Sequence, residues 1–298
     1  MDRSLIRTLK SNAFLILQRI VPQHQLMSLV GWLASIRIGA VKSLLIRGFV
    51  RLYKVNIAEV NRPVPHGFVD FNDFFTRELV DGARPIDASP ASVVAPVDGI
   101  VSAAGTIDGE TLLQAKGITY GLQDLLATNL TDTALFENGS FATMYLAPYN
   151  YHRVHSPLAG ELAAARYVPG QLFSVNQTTV ELLPQLFTRN ERLVCHIRTA
   201  AGPMVLIFVG ALNVGSVSTP WTGRIRPRKT GVVDDLRLDT ATTSRYVEKG
   251  QLLGWFNMGS TVILLLPPGS CTWHEDLANG TRLTMGEAIG KLTVNEAG

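Results

Sequence analysis

From residue 93 onward short apolar runs alternate with Gly/Pro turns: 93–101, 141–146, 193–197, 204–209 and 262–266. Runs of this kind, bounded by turn formers, predict β-strands rather than a helical bundle. Helical pieces interrupt them near 122–127 and 180–187, and Asp70-Phe71-Asn72-Asp73-Phe74-Phe75 opens a short helix ending near Leu79. One turn recurs: Pro96-Val97-Asp98-Gly99, Pro157-Leu158-Ala159-Gly160 and Pro220-Trp221-Thr222-Gly223, each followed two residues later by an apolar side chain. Pro presets φ for a turn, and Gly lets the backbone reverse into a strand. The expected fold is α+β, mainly β. N-terminal amphipathic helices lead into a barrel-sandwich-like body of short strands with internal Pro-x-x-Gly repeats, an arrangement similar to biotin- and lipoate-carrying domains.

The front of the chain has a different texture. Residues 1–60 carry nine Lys and Arg against two acids, a charge of +7; the other 238 residues sum to −4. The net +3 conceals this split and argues against phosphate-driven nucleic-acid binding. Hydrophobic residues make up 46% of the chain and charged residues 17%, which excludes a disordered protein. The longest charge-free stretch, between Arg19 and Arg37, is interrupted by Pro22, Gln23, His24 and Gln25. Its apolar part is shorter than the ~20 residues a membrane span needs. No apolar core with a small-residue cleavage site marks a signal peptide. Ile6, Leu9, Ala13, Ile16, Leu17 and Ile20 fall on one helical face, and Val41, Leu45, Phe49 and Leu52 on another, with Arg47, Arg51 and Lys54 roughly opposite. This is the pattern of helices lying on an anionic bilayer, although the same stripes serve helices packed on a protein core. Residues 1–60 are therefore expected to be a membrane-associating helical region and 61–298 the β-rich domain, joined through the polar turn at 61–67. Cys195 and Cys271 have no metal-ligand or CxxC spacing and read as core residues.

The densest polar cluster is Tyr149-Asn150-Tyr151-His152-Arg153-Val154-His155-Ser156-Pro157. Two histidines beside an arginine and two tyrosines suit acid–base work, though a structural role is as common. In an extended strand they point to opposite faces. No third His or Cys stands at ligand spacing, so no metal site is expected. Asp98 is charged where the two other turns have Ala159 and Thr222. Ser260, in Gly259-Ser260-Thr261, completes a possible Ser-His-Asp set but lacks a Gly-x-Ser-x-Gly elbow.

The chain resembles the bacterial phosphatidylserine decarboxylases over nearly its whole length. The resemblance is carried by Phe71-Asn72-Asp73-Phe74-Phe75-Thr76-Arg77-Glu78-Leu79, Arg84-Pro85-Ile86-Asp87, Pro96-Val97-Asp98-Gly99, Gln114-Ala115-Lys116-Gly117, Tyr151-His152-Arg153-Val154-His155-Ser156-Pro157, Pro169-Gly170-Gln171-Leu172-Phe173-Ser174-Val175-Asn176, Arg189-Asn190-Glu191-Arg192, Val209-Gly210-Ala211 and Gly259-Ser260-Thr261. Met258 stands where the family usually has Leu. The resemblance implies a proenzyme that cleaves itself at Gly259–Ser260, giving a β subunit of residues 1–259 and an α subunit of residues 260–298. Ser260 would become a pyruvoyl cofactor, with His155 as base, Asp98 orienting it, and His152 in substrate binding and protonation. It implies decarboxylation of phosphatidylserine to phosphatidylethanolamine through a covalent imine with the pyruvoyl group. It also implies a homodimer held peripherally on the cytoplasmic face of the bacterial inner membrane. The alternatives are a Ser-His-Asp lipid hydrolase without self-cleavage, and a non-enzymatic carrier domain. The carrier would need a Lys in a tight hairpin, where this chain offers Asn257-Met258-Gly259-Ser260.

Overall fold

The computed structural model describes residues 16, 18, 20–128, 130–212, 216–238, 244–257 and 261–293. The body is mainly β, with short helices, and helices precede it. At the front stand α1 (Gln23–Ala34) and α2 (Gly39–Tyr53), followed by the short α3 (Phe71–Phe75). The strands that frame the site are β1 (Gly99–Thr106), β2 (Ser140–Tyr145), β3 (Arg153–His155), β4 (Gly160–Val168), β5 (Arg192–Thr199), β6 (Gly202–Val209), β7 (Val217–Thr219), β8 (Gly223–Ile225), β9 (Leu252–Phe256) and β10 (Thr261–Leu266).

A nine-stranded antiparallel sheet runs β4-β5-β6-β10-β2-β1, with short strands Asp234–Asp235 and Tyr246–Val247 outside β4, and Arg282–Leu283 outside β1. The expected barrel-sandwich-like arrangement is not confirmed: among the described residues the two edges of this sheet do not pair, and no closed barrel forms. A second sheet of four strands runs β8-β7-β9-β3. β10 reads Thr-Val-Ile-Leu-Leu-Leu, and every residue is buried. That is the signature of a central strand covered on both faces, and β10 pairs with β2 on one side and β6 on the other along its length. Cys195 and Cys271 are buried, unpaired thiols, as core residues should be.

Each recurring turn delivers its glycine as the first residue of a strand: Gly99 of β1, Gly160 of β4 and Gly223 of β8. The physical reason differs from the one expected for the first two. Neither has positive φ; a Cβ on Gly99 would sit 2.6 Å from the Tyr145 carbonyl oxygen, and one on Gly160 2.4 Å from that of Arg198. Close approach of the neighbouring strand excludes a side chain there. Gly223 instead has φ +64 and open space around it. β1 and β4 also carry bulges at the same offset from their glycines, between Val101 and Ala103 and between Leu162 and Ala164. The first two turns are alike in structure, and the third is a different device.

The front helices do not form a single apolar layer. Ile46 of α2 is fully buried, and Phe49 and Val50 pack with it against Phe68, Phe71, Phe74 and Phe75. Phe49 makes edge-on ring contacts with all three phenylalanines of α3. Leu44 and Leu52 point outward, 74% and 73% exposed, as do Trp32 and Ile38. One face of α2 therefore packs on the protein's own core, and the opposite face is exposed. α1 and α2 are bent 112° to each other, and among the described residues no single helix is long and apolar enough to cross a membrane. Of the first predicted stripe, Ile16 and Ile20 are exposed, and Ile6, Leu9, Ala13 and Leu17 lie outside the described residues.

Candidate active site

Pairing of β3 with β9 sets His155 opposite Leu252 and Arg153 opposite Trp255. One step further, the Phe256 N–H donates to the His152 carbonyl. The two imidazoles make different contacts: His152 packs on Phe75 and His155 on Tyr151.

His155 is held by two contacts. Its Nδ1 lies 2.8 Å from the Gly250 carbonyl oxygen and its Nε2 3.1 Å from the Tyr151 hydroxyl. A carbonyl only accepts, so Nδ1 carries the hydrogen and Nε2 the lone pair. The Gly250 carbonyl is presented by a tight turn at φ +79, where a Cβ would strike Ile86 at 2.7 Å. Burial pushes the His155 pKa down to about 4, against the opposing pull of the Gly250 hydrogen bond. The ring is neutral at ordinary pH and carries its lone pair at one defined atom.

Asp98 lies close enough to act on His155 electrostatically. Its carboxylate, however, is taken by a forked pair from Arg84, at 2.8 and 2.6 Å, and by the Met285 N–H at 2.9 Å. Arg84 also reaches Glu59 at 3.0 Å. The carboxylates and close hydrogen bonds raise the Arg84 pKa further, so it stays charged. The hydrogen bond that orients the His155 ring comes from the Gly250 backbone, and Asp98 acts from behind, through space.

His152 is fully buried against Phe75, with ring centroids 4.1 Å apart. Its Nδ1 donates to the Asn150 carbonyl at 2.8 Å. That carbonyl also accepts from Arg77 at 3.1 Å, which braces the turn. Among the described residues Nε2 is buried without a partner. Burial, reinforced by the nearby Arg77 charge, lowers the His152 pKa to about 3.

Gly259 and Ser260 lie outside the described residues, but both flanks are described. On one side Asn257 is buried, its amide donating to the Ser216 carbonyl and to the Ser216 and Ser218 hydroxyls, and its oxygen accepting from Asn72. On the other, Thr261 is held in register between Tyr145 and Val209, its hydroxyl buried without a partner among the described residues. Residues 258–260 therefore join the small sheet to the large one between two fixed points. Tyr145, the register partner of Thr261, lines a cavity of about 450 Å³. Val30 of α1 and Phe49 and Tyr53 of α2 line it with Phe75, Tyr145 and Ala211, and none of its lining residues is an acid or a base.

Sequence reasoning named Asp98, His152 and His155 but gave no role to Arg84, Tyr151, Gly250 or Asn257. Arg84 stood in a quoted motif, and Tyr151 beside the histidines. A backbone carbonyl such as that of Gly250 leaves no mark in a residue pattern.

The sequence profile described as phosphatidylserine decarboxylase matches residues 71–291, and one described as PSD matches residues 13–54. The phosphatidylserine decarboxylase proenzyme of Methylococcus capsulatus is 44% identical over 286 residues, covering 96% of this chain and 99% of that protein. Those of Saccharophagus degradans and Pseudomonas fluorescens are each 42% identical, covering 95% of this chain and 99% and 98% of theirs. With its two histidines, its bracketed 258–260 segment and this end-to-end similarity, the chain belongs to the phosphatidylserine decarboxylase family.

Proposed function

We propose that the chain is a proenzyme that cuts itself between Gly259 and Ser260 and then decarboxylates phosphatidylserine to phosphatidylethanolamine. Similarity along the whole length to proenzymes of that name carries the reading. Nothing among the relatives favours a hydrolase or a carrier.

For self-cleavage, the Ser260 hydroxyl oxygen attacks the Gly259 carbonyl carbon as its proton passes to a base. The peptide C–N bond breaks and an ester remains. Elimination across the Ser260 Cα–Cβ bond expels the Gly259 carboxylate, and hydrolysis of the resulting dehydroalanine releases ammonia. His155 is the base, with Nε2 as the accepting atom. Gly250 fixes its tautomer, and Asp98, held by Arg84, stabilises the imidazolium that forms. Tyr151 keeps the lone pair hydrogen-bonded until the serine competes for it.

The product of that chemistry is an N-terminal pyruvoyl group, and the residues around the bond fit one. Thr261 offers a buried, unpartnered hydroxyl to a carbonyl oxygen, and His152 offers a buried, unpartnered lone pair. The group would supply a carbonyl system that draws off the electrons left when CO2 departs. One proton from solvent replaces CO2 at the substrate Cα, and His152 would relay it through Nε2. The apolar cavity beneath α1 and α2 takes the lipid end of the substrate and excludes water. The outward Trp32, Leu44 and Leu52 meet the bilayer, with residues 1–60 as the membrane-associating region, peripheral on the cytoplasmic face of the inner membrane. The reading also includes a homodimer, on the family resemblance alone.

Ser260→Ala tests it. The variant should stay a single chain and have no decarboxylase activity; a cleaved or active variant would remove Ser260 from both steps.

A further inference from the structure

Two further cavities flank α1. The first, about 780 Å³, is lined by His24, Arg189 and Lys229 among others, and the second, about 450 Å³, by Trp32, Arg224 and Arg226 among others. No Asp or Glu lines either. Arg189, Arg224, Arg226 and Lys229 are all exposed. Among the described residues none of the four has a carboxylate partner, and Arg224 donates only to the neutral Ser216 hydroxyl. Their neighbour Arg228, by contrast, is paired with Asp234. Uncompensated cations converging on one helix leave a local positive field that an anion must balance.

The setting indicates which anion. Along α1 the same region exposes Leu29, Trp32 and Leu33, at 53%, 64% and 41%. Trp at such a position, with cations beside it, suits the headgroup level of a bilayer, where the ring meets acyl chains and the bases meet phosphates. α1 also supplies Val30 to the apolar cavity. One helix thus borders both the basic cavities and the apolar one.

We propose that Arg189, Arg224, Arg226 and Lys229 form a docking site for the phosphates of anionic membrane lipids. Three of these cations come from the strand β8 and the segment after it, and Arg189 from the body too, so the β-rich domain contributes directly to membrane recognition. The proposal rests on the reading of this chain as a lipid enzyme and names the surface that reads bilayer charge.

The test uses full-length protein carrying Arg226→Glu and Lys229→Glu, neither of which touches the catalytic residues. Sedimentation is compared on vesicles of phosphatidylcholine with and without phosphatidylglycerol. Wild type should prefer the anionic vesicles, and the double variant should lose roughly tenfold or more of that binding. Arg226→Gln with Lys229→Gln should fall between. Self-cleavage and turnover of detergent-dispersed phosphatidylserine should be unchanged, which also shows that the variants fold. Equal binding of wild type to both vesicles, or undiminished anionic binding by the charge-reversed variant, would overturn the site. Loss of wild-type binding in millimolar inorganic phosphate at constant ionic strength would show a site for free phosphate and overturn the bilayer assignment. If neither protein turns over micellar substrate while the vesicle difference persists, the functional reading fails and the docking site stands.

Discussion

At the residue scale, the site depends on two imidazoles kept neutral by burial and given different partners. With its pKa near 4, His155 stays neutral well below the usual histidine range, as the proposed base must. The self-cleavage rate of refolding precursor should therefore be nearly flat from pH 8 to 5.5, where a histidine of ordinary pKa would be about nine-tenths protonated. A rate tracking a pKa near 6.5 would contradict the buried-base assignment. The same burial has a stability consequence. The unfolded chain protonates its histidines near 6.5, whereas the fold holds His155 and His152 neutral down to about 4 and about 3. Their contribution is whole above pH 6.5 and is lost as pH falls toward those values. His152→Ala should still process, yet lose about 10²-fold or more in decarboxylation, the size of a removed acid–base group. Full turnover would exclude His152 from proton transfer. The histidines were legible because side chains carry the family pattern. What holds them was not. Asp98 was expected to orient His155, but the orienting oxygen belongs to the Gly250 backbone and Asp98 is committed to Arg84.

At the element scale, β10 is the piece that must survive the cut. All six of its residues are buried, and it is hydrogen-bonded on both edges, so the 260–298 product would stay within the sheet. The cleaved protein should elute as one species in native size exclusion and separate only in denaturant. Leu264→Ala, which removes a fully buried side chain at the centre of that strand, should lower stability by about 2–5 kcal/mol in urea unfolding. A cost below ~1 kcal/mol would mean the strand is not packed as described. This strand was the plainest feature of the sequence, an apolar run with turn formers before and after it. The sheet's open edges were not readable, because pairing partners far apart in sequence leave no local signal. The recurring turn shows the same limit: similar residues at 96–99, 157–160 and 220–223 serve two different backbone needs.

At the scale of the whole molecule, the front helices face two ways. Ile46, Phe49 and Val50 enter a phenylalanine cluster that reaches Phe75 and so touches His152, while Leu44 and Leu52 remain outside. Deleting the first 60 residues would therefore strip core as well as surface. Leu44→Asp with Leu52→Asp separates the two roles. The pair should weaken vesicle binding by roughly tenfold or more without changing the unfolding midpoint, and unchanged binding would mean the outward face does not meet lipid. Composition indicated that the charge was split and the chain apolar, but could not apportion its apolar residues between core and membrane. That required knowing which side of α2 meets α3.

The central claim is that this chain rewrites its own backbone at Gly259–Ser260. Mass spectrometry of the denatured wild-type protein addresses it directly. Two chains should appear, residues 1–259 and residues 260–298, the smaller beginning with a pyruvoyl group in place of Ser260. A single unmodified chain of 32.5 kDa in catalytically active protein would contradict the account.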